Sequence, residues 1–116
     1  MANFVFKPIA DIPFTITDEA GNEIKRYTLK AGSEEYFKLV VNQGSEILKK
    51  FSCLSNGEAE KFLETMKGFI DYCFGEGEFD ALYVAFGKNP FAMLELIAEV
   101  CKLGRDELEK KFKKYV

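Results

Sequence analysis

The hydrophobic period changes once along this chain, at Ala31-Gly32-Ser33, and that change sets the fold class. Before it, apolar residues alternate. Phe4 and Phe6 alternate with Val5 and Lys7, and Ile12, Phe14 and Ile16 alternate with Pro13, Thr15 and Thr17. From Glu23 to Lys30, Lys25, Tyr27 and Leu29 share one face, and Ile24, Arg26 and Thr28 share the other. A period of two is the signature of strands. Asp18-Glu19-Ala20-Gly21-Asn22 between the last two runs reads as a hairpin loop, and Pro13 places its strand at an edge or makes it the strand's start. After Ser33 the apolar residues recur at helical spacing. The expectation is an α+β fold, mainly α, in which an N-terminal β-hairpin packs on a bundle of four to five helices. With 116 residues the chain suits one domain, a β-rich region over 1–31 and a helical region over 32–116.

Local signals divide the helical region. Ser33 is an N-cap with Glu34 and Glu35 behind it. The helix it opens buries Phe37, Val40, Val41, Ile47, Leu48 and Phe51, and Gly44 weakens its middle by about 1 kcal/mol relative to Ala, enough for a bend or break. Ser55 and Glu58 form a capping box for a second helix, with Ala59, Phe62, Leu63, Met66, Phe69, Ile70 and Cys73 inward. Gly75 and Gly77 then break the chain after Phe74, since glycine takes positive φ without a Cβ penalty. Glu76, Glu78 and Asp80 sit in the first turn of a short third helix, whose Phe79, Leu82, Tyr83 and Phe86 share a face. Asn89 and Pro90 read as N-cap and N1 of a fourth helix, Pro90 to Leu103. Gly104 ends it. A last segment carries Leu108, Phe112 and Val116 at four-residue intervals and finishes in Lys110, Lys111, Lys113 and Lys114, cations suited to a helix C-terminus.

The fourth helix has only Glu95, Glu99 and Lys102 as charged residues, in one narrow stripe. A helix apolar around most of its circumference is either central in its own domain or shared with a partner. The flanks of the stripe and the last segment supply a candidate protein interface: Phe91, Leu96, Leu103, Phe112 and Tyr115.

Catalytic chemistry is hard to assemble from these residues. The chain has no His, which removes His-based triads, His metal sites and the usual proton shuttle near neutral pH. Cys53, Cys73 and Cys101 are widely spaced on or beside apolar stripes, as buried free thiols are. A calcium loop at Asp18–Glu23 lacks the EF-hand spacing. Gly75-Glu76-Gly77 resembles a phosphate loop only superficially, because its acidic neighbours repel an anion. Asp71 with Glu78 or Asp80 could form a carboxylate pair. No catalytic, cofactor-binding or metal-binding residue is assigned, and no enzyme activity is expected. A net charge of −3 disfavours nucleic acid as a partner. No apolar run is long enough to span a bilayer, and the N-terminus lacks a signal peptide's pattern, so a cytoplasmic protein without a membrane partner is expected. Twelve Phe and no Trp place many rings without a polar handle, suited to a core or a protein contact.

The order of parts is similar to a known family. The hairpin, the Ser-Glu-Glu helix start, the helix reaching Phe69-Ile70-Asp71, the break from Phe74 to Asp80 and the closing helical layer resemble the short tail assembly chaperones of long-tailed, siphovirus-like bacteriophages and prophages of Gram-positive bacteria. The resemblance covers most of the chain and is strongest from Glu58 to Leu103. It implies a non-enzymatic phage protein without cofactor, acting in the bacterial cytoplasm. Such a protein binds the long, apolar, helical tape measure protein and keeps it soluble during tail assembly. The tail tube protein is a further partner, and either a homo-oligomer or several separate copies on one client is expected. Another phage morphogenesis role, such as head–tail joining, and a small carboxylate-dependent enzyme are the alternatives.

Overall fold

The computed structural model describes residues 2–6 and 8–113, with only the backbone described for Leu108 and Lys111. Two antiparallel strands, β1 (Ile12–Thr17) and β2 (Glu23–Leu29), form the expected hairpin. Its tip is closed by Asp18, whose Oδ1 accepts from the backbone N–H groups of Ala20 (3.0 Å) and Asn22 (2.9 Å). Asp18 thus spends its acceptors on the turn itself, the Asn22 N–H foremost in holding its pKa below the usual value. Ile16 pairs with Lys25 but Thr17 pairs with Glu23, so Ile24 is an extra, bulged residue. The bulge brings Ile24 to pack against the core, although strict alternation put it on the other face from Tyr27 and Leu29.

A helical rod follows, made of α1 (Glu34–Lys38), a π-helical segment (Leu39–Gly44) and α2 (Ser45–Phe51). Ser33 caps it as expected, its Oγ accepting from the Tyr36 N–H at 3.1 Å. α3 (Ala59–Phe74), α4 (Glu78–Ala85) and α5 (Pro90–Phe112) complete the fold, with Asn89 Oδ1 accepting from the Phe91 N–H (2.9 Å) at the start of α5.

Four expectations about these elements need correction. Residues 2–6 and 8–11 pair with no strand among the described residues, and Phe4, Val5 and Phe6 are 79, 63 and 75% exposed. The rod's buried face is Tyr36, Leu39, Val40, Gly44 and Ile47, while Phe37, Val41 and Phe51 are exposed. The wider π turn shifts the register of the stripe. Glu58, not Ser55, occupies the N-cap position of α3, and the carboxylate of Glu58 accepts from both the backbone and the hydroxyl of Ser55 in the turn before it. Finally, α5 runs through Gly104 without interruption.

Gly104 and Gly44 share one explanation. A Cβ on Gly104 would lie 3.2 Å from Tyr36 Cε1 and 3.3 Å from Val40 Cγ1, and a Cβ on Gly44 would overlap Cys101 Sγ. Each helix therefore carries a notch that receives the other. Through the Gly104 notch, the Tyr36 hydroxyl reaches the Val100 carbonyl at 3.3 Å. Close approach puts α5 at the centre of the core, with Met93, Ile97 and Val100 wholly buried and Cys101 nearly so.

The break after Phe74 is where the hairpin docks. Gly75 and Gly77 have φ of 127° and 84°, which only glycine adopts freely. Phe14 and Tyr27, directly opposite each other in the sheet, stack on Phe74 with centroids at 5.6 and 4.3 Å. The Tyr27 hydroxyl donates to Glu78 Oε2 at 2.7 Å, tying β2 to the first residue of α4. Burial, reinforced by that carboxylate, raises the Tyr27 pKa.

Candidate protein-binding groove

At the far end of the bundle α2, the start of α3 and the start of α5 do not close on one another. α2 stops at Phe51, the chain loops through 52–58, and Pro90 opens α5. Between them lies a groove of about 220 Å³. Phe62 and Met66, 7 and 3% exposed, belong to both its lining and the core. Phe51, Leu63, Phe91 and Leu94 complete the walls, and none of the lining side chains is polar. Phe51 meets Phe62 at 6.2 Å and Phe91 edge-on at 5.9 Å, yet Phe51 remains 41% and Phe91 60% exposed.

Two devices hold this opening in shape. The Asn89 cap sets the backbone of Phe91 at the second position of α5. On the other side Glu58, bound by Ser55, also receives Lys50 Nζ at 2.8 Å. These hydrogen bonds, Lys50 first and Ser55 next, pull the Glu58 pKa down to about 2, and Glu58 in turn raises that of Lys50. A polar clamp thus joins the end of α2 to the start of α3. A larger depression of about 510 Å³ adjoins the groove, shares Leu54 and Phe62 with it, and carries Lys49, Lys50 and Lys61.

The interface residues expected from sequence do not converge. Phe91 is on the groove's lip. Leu96 is 8% exposed and belongs to the monomer core, beside a depression lined by Phe14 and Ile16 of β1, and Leu103 is partly buried against that core. Leu96 is corrected from interface to core, while Leu103 stays partly exposed beside the Gly104 notch. Phe112 is 57% exposed but about 30 Å along the same helix from Phe91 at 1.5 Å per residue. Tyr115 lies outside the described residues, as does Val116. Phe51, Phe62 and Met66 passed in the sequence for ordinary core stripe residues. The signal that marks them is positional: Phe51 ends a helix just before a polar loop, and Phe91 follows Pro90 in the first turn of α5, where it stays 60% exposed.

The remaining carboxylate candidates for chemistry are each engaged in a contact that holds the fold. Asp71 Oδ1 accepts from the Phe79 N–H at 2.8 Å and so caps α4. Glu78 takes Tyr27 and, at 3.7 Å, Lys25. Asp80 takes Lys67 at 3.3 Å. Cys101 is buried, Cys73 half-buried and Cys53 exposed. Cys53 is a correction to the expectation of three buried thiols, for it sits in the turn after α2 has ended. Burial, with Cys101 adding to it, pushes the Cys73 thiol up to about 12, so it is a poor nucleophile at neutral pH. Among the described residues no group of three His, Cys, Asp or Glu side chains could hold a metal ion, and no helix is long and apolar enough to cross a membrane.

In comparisons with known proteins, no family model matches this chain, and neither a curated protein nor a solved structure matches it.

Proposed function

We propose that this protein is a non-enzymatic assembly chaperone of the phage tail type, which binds apolar helical segments of a tape measure protein and keeps them soluble in the bacterial cytoplasm. The observation that carries this reading is the groove between α2, α3 and α5, open, lined only by apolar side chains and flanked by two half-exposed phenylalanines. Such a surface can bind through dispersion and exclusion of water, without polar groups that dictate one sequence. An amphipathic helix laid into a groove is the docking mode that fits it. A client with many apolar segments recruits many copies, and avidity compensates for a small contact at each. The tail tube protein is the second partner, taking over the client as the chaperone leaves.

The test is co-expression with a tape measure protein, measuring the soluble fraction of the client. The wild-type chain raises that fraction, and Phe91→Glu, a change at an exposed position that leaves the fold intact, does not. A client equally soluble with the wild type, with the variant and with neither contradicts the reading.

A further inference from the structure

The groove between α2, α3 and α5 is lined only by apolar side chains, but the depression beside it is not. That depression has a volume of about 510 Å³, and clefts that hold a ligand typically measure about 300–1,000 Å³. Its floor is apolar: Ile47 and Phe62 are 3 and 7% exposed, and Leu54 is partly buried against the core. Leu54 and Phe62 also line the groove, so the two hollows form one apolar trough. Its rim is charged. α2 contributes Glu46, Lys49 and Lys50, α3 contributes Lys61, and Glu58 precedes α3. Lys50 and Glu58 neutralise each other at 2.8 Å. That leaves Lys49 on α2 and Lys61 on α3 against the single carboxylate of Glu46. Neither lysine has an ion-pair partner among the described residues. The rim is therefore positive on a chain whose net charge is −3.

We propose that this depression selects the charge of what the trough binds: an amphipathic helix whose apolar stripe is bordered by Glu or Asp. The stripe lies along Ile47, Leu54 and Phe62, and acidic side chains at its borders meet Lys49 and Lys61. Both lysines are exposed, so each pair adds little to affinity, roughly 2- to 5-fold. The larger effect is discrimination, because a helix bordered by Lys or Arg is repelled at the same two points. Selection by charge rather than by sequence suits a binder of many related segments. The inference rests on the reading of the groove as a helix-binding surface, and it names the class of helix that surface takes.

The test is fluorescence anisotropy with two synthetic helical peptides that share one leucine stripe, one bordered by Glu and the other by Lys. At low salt the wild-type chain binds the Glu-bordered peptide about 10-fold more tightly, and the gap closes as salt is raised. Lys49→Gln with Lys61→Gln removes the preference, and Lys49→Glu with Lys61→Glu reverses it, each with an unchanged circular dichroism spectrum. Cys53 lines the depression and is exposed, so its alkylation reports occupancy and slows when the Glu-bordered peptide is bound. Equal affinity for the two peptides, tighter binding of the Lys-bordered one, a preference unaltered in the folded Gln variant, or alkylation of Cys53 unslowed at saturation each overturns the inference and leaves the apolar groove standing. Binding of neither peptide overturns the helix-binding reading as well.

Discussion

Gly44→Ala separates helix propensity from packing, because the two predict opposite signs. Propensity alone favours Ala over Gly inside a helix by about 1 kcal/mol. The added methyl, however, overlaps Cys101 Sγ and comes within 3.4 Å of Phe69 Cε2. Cys101 and Phe69 are 1 and 0% exposed, so neither side chain can swing into solvent. Overpacking of this kind costs up to about 3 kcal/mol. The net expectation is a destabilisation of about 2 kcal/mol, or a fall in melting temperature of about 8 °C for a domain of this size. Cys101→Ala alone costs about 1–2 kcal/mol through the cavity it leaves. In the double variant the new methyl takes the place of the missing sulfur. Although it carries one more substitution, it should exceed Gly44→Ala in stability by about 1 kcal/mol, which with the cost of Cys101→Ala amounts to a coupling of about 2–3 kcal/mol, as for residues in direct contact. Urea unfolding followed by far-UV circular dichroism measures all four corners of the cycle. A Gly44→Ala chain at least as stable as the wild type, or a double variant less stable than Gly44→Ala, refutes the notch between the rod and α5.

Tyr36→Phe should cost about 1 kcal/mol in the same assay, because it strands the Val100 carbonyl contact made through the Gly104 notch; no change shows that the hydroxyl adds nothing. Phe74→Ala should cost about 2 kcal/mol and, by hydrogen exchange, release the hairpin amides while those of α5 stay protected; equal loss of protection in both contradicts local docking. Leu96→Glu should unfold the domain whereas Phe91→Glu should not, as circular dichroism will report, because only the first buries an unpaired charge. Stability should fall as pH rises from about 9, where the Cys73 thiol ionises in the unfolded chain, toward about 12, where it ionises in the folded one. The folded state holds that proton more tightly, so the loss lies on the alkaline side, and Cys73→Ala should flatten the slope of urea melts across this window; an unchanged slope contradicts the assignment.

The hairpin and helices were legible because their signals are local. Alternation from Ile12 to Thr17, the Ser33 and Asn89 caps, and the Gly75 and Gly77 break each depend on a few neighbouring residues, and each element formed where it was expected. What escaped the sequence depends on partners distant in the chain. Gly104 resembles a helix stop until Tyr36 is placed against it. The extra residue at Ile24 and the π turn at Leu39–Gly44 each shift a stripe by one position; Gly44 marked an irregularity in the rod, but not the shift of its buried face. Leu96 has the pattern of a flank residue, but it joins the buried cluster and keeps only 8% of its surface exposed, beside a depression that β1 also lines. The groove was missed for the same reason in reverse. Phe62 and Met66 obey the core period, and only the ends of α2 and α5 decide that one side of them stays open.

The most direct test of the binding groove is methyl NMR of the chain titrated with a helical apolar peptide from a tape measure protein. The expected result is that shifts concentrate on Leu54, Leu63, Met66 and Leu94, and that Phe91→Glu abolishes them while the rest of the spectrum keeps its dispersion. Shifts concentrated instead around Val41 and Val84, with the groove methyls unmoved, contradict the account.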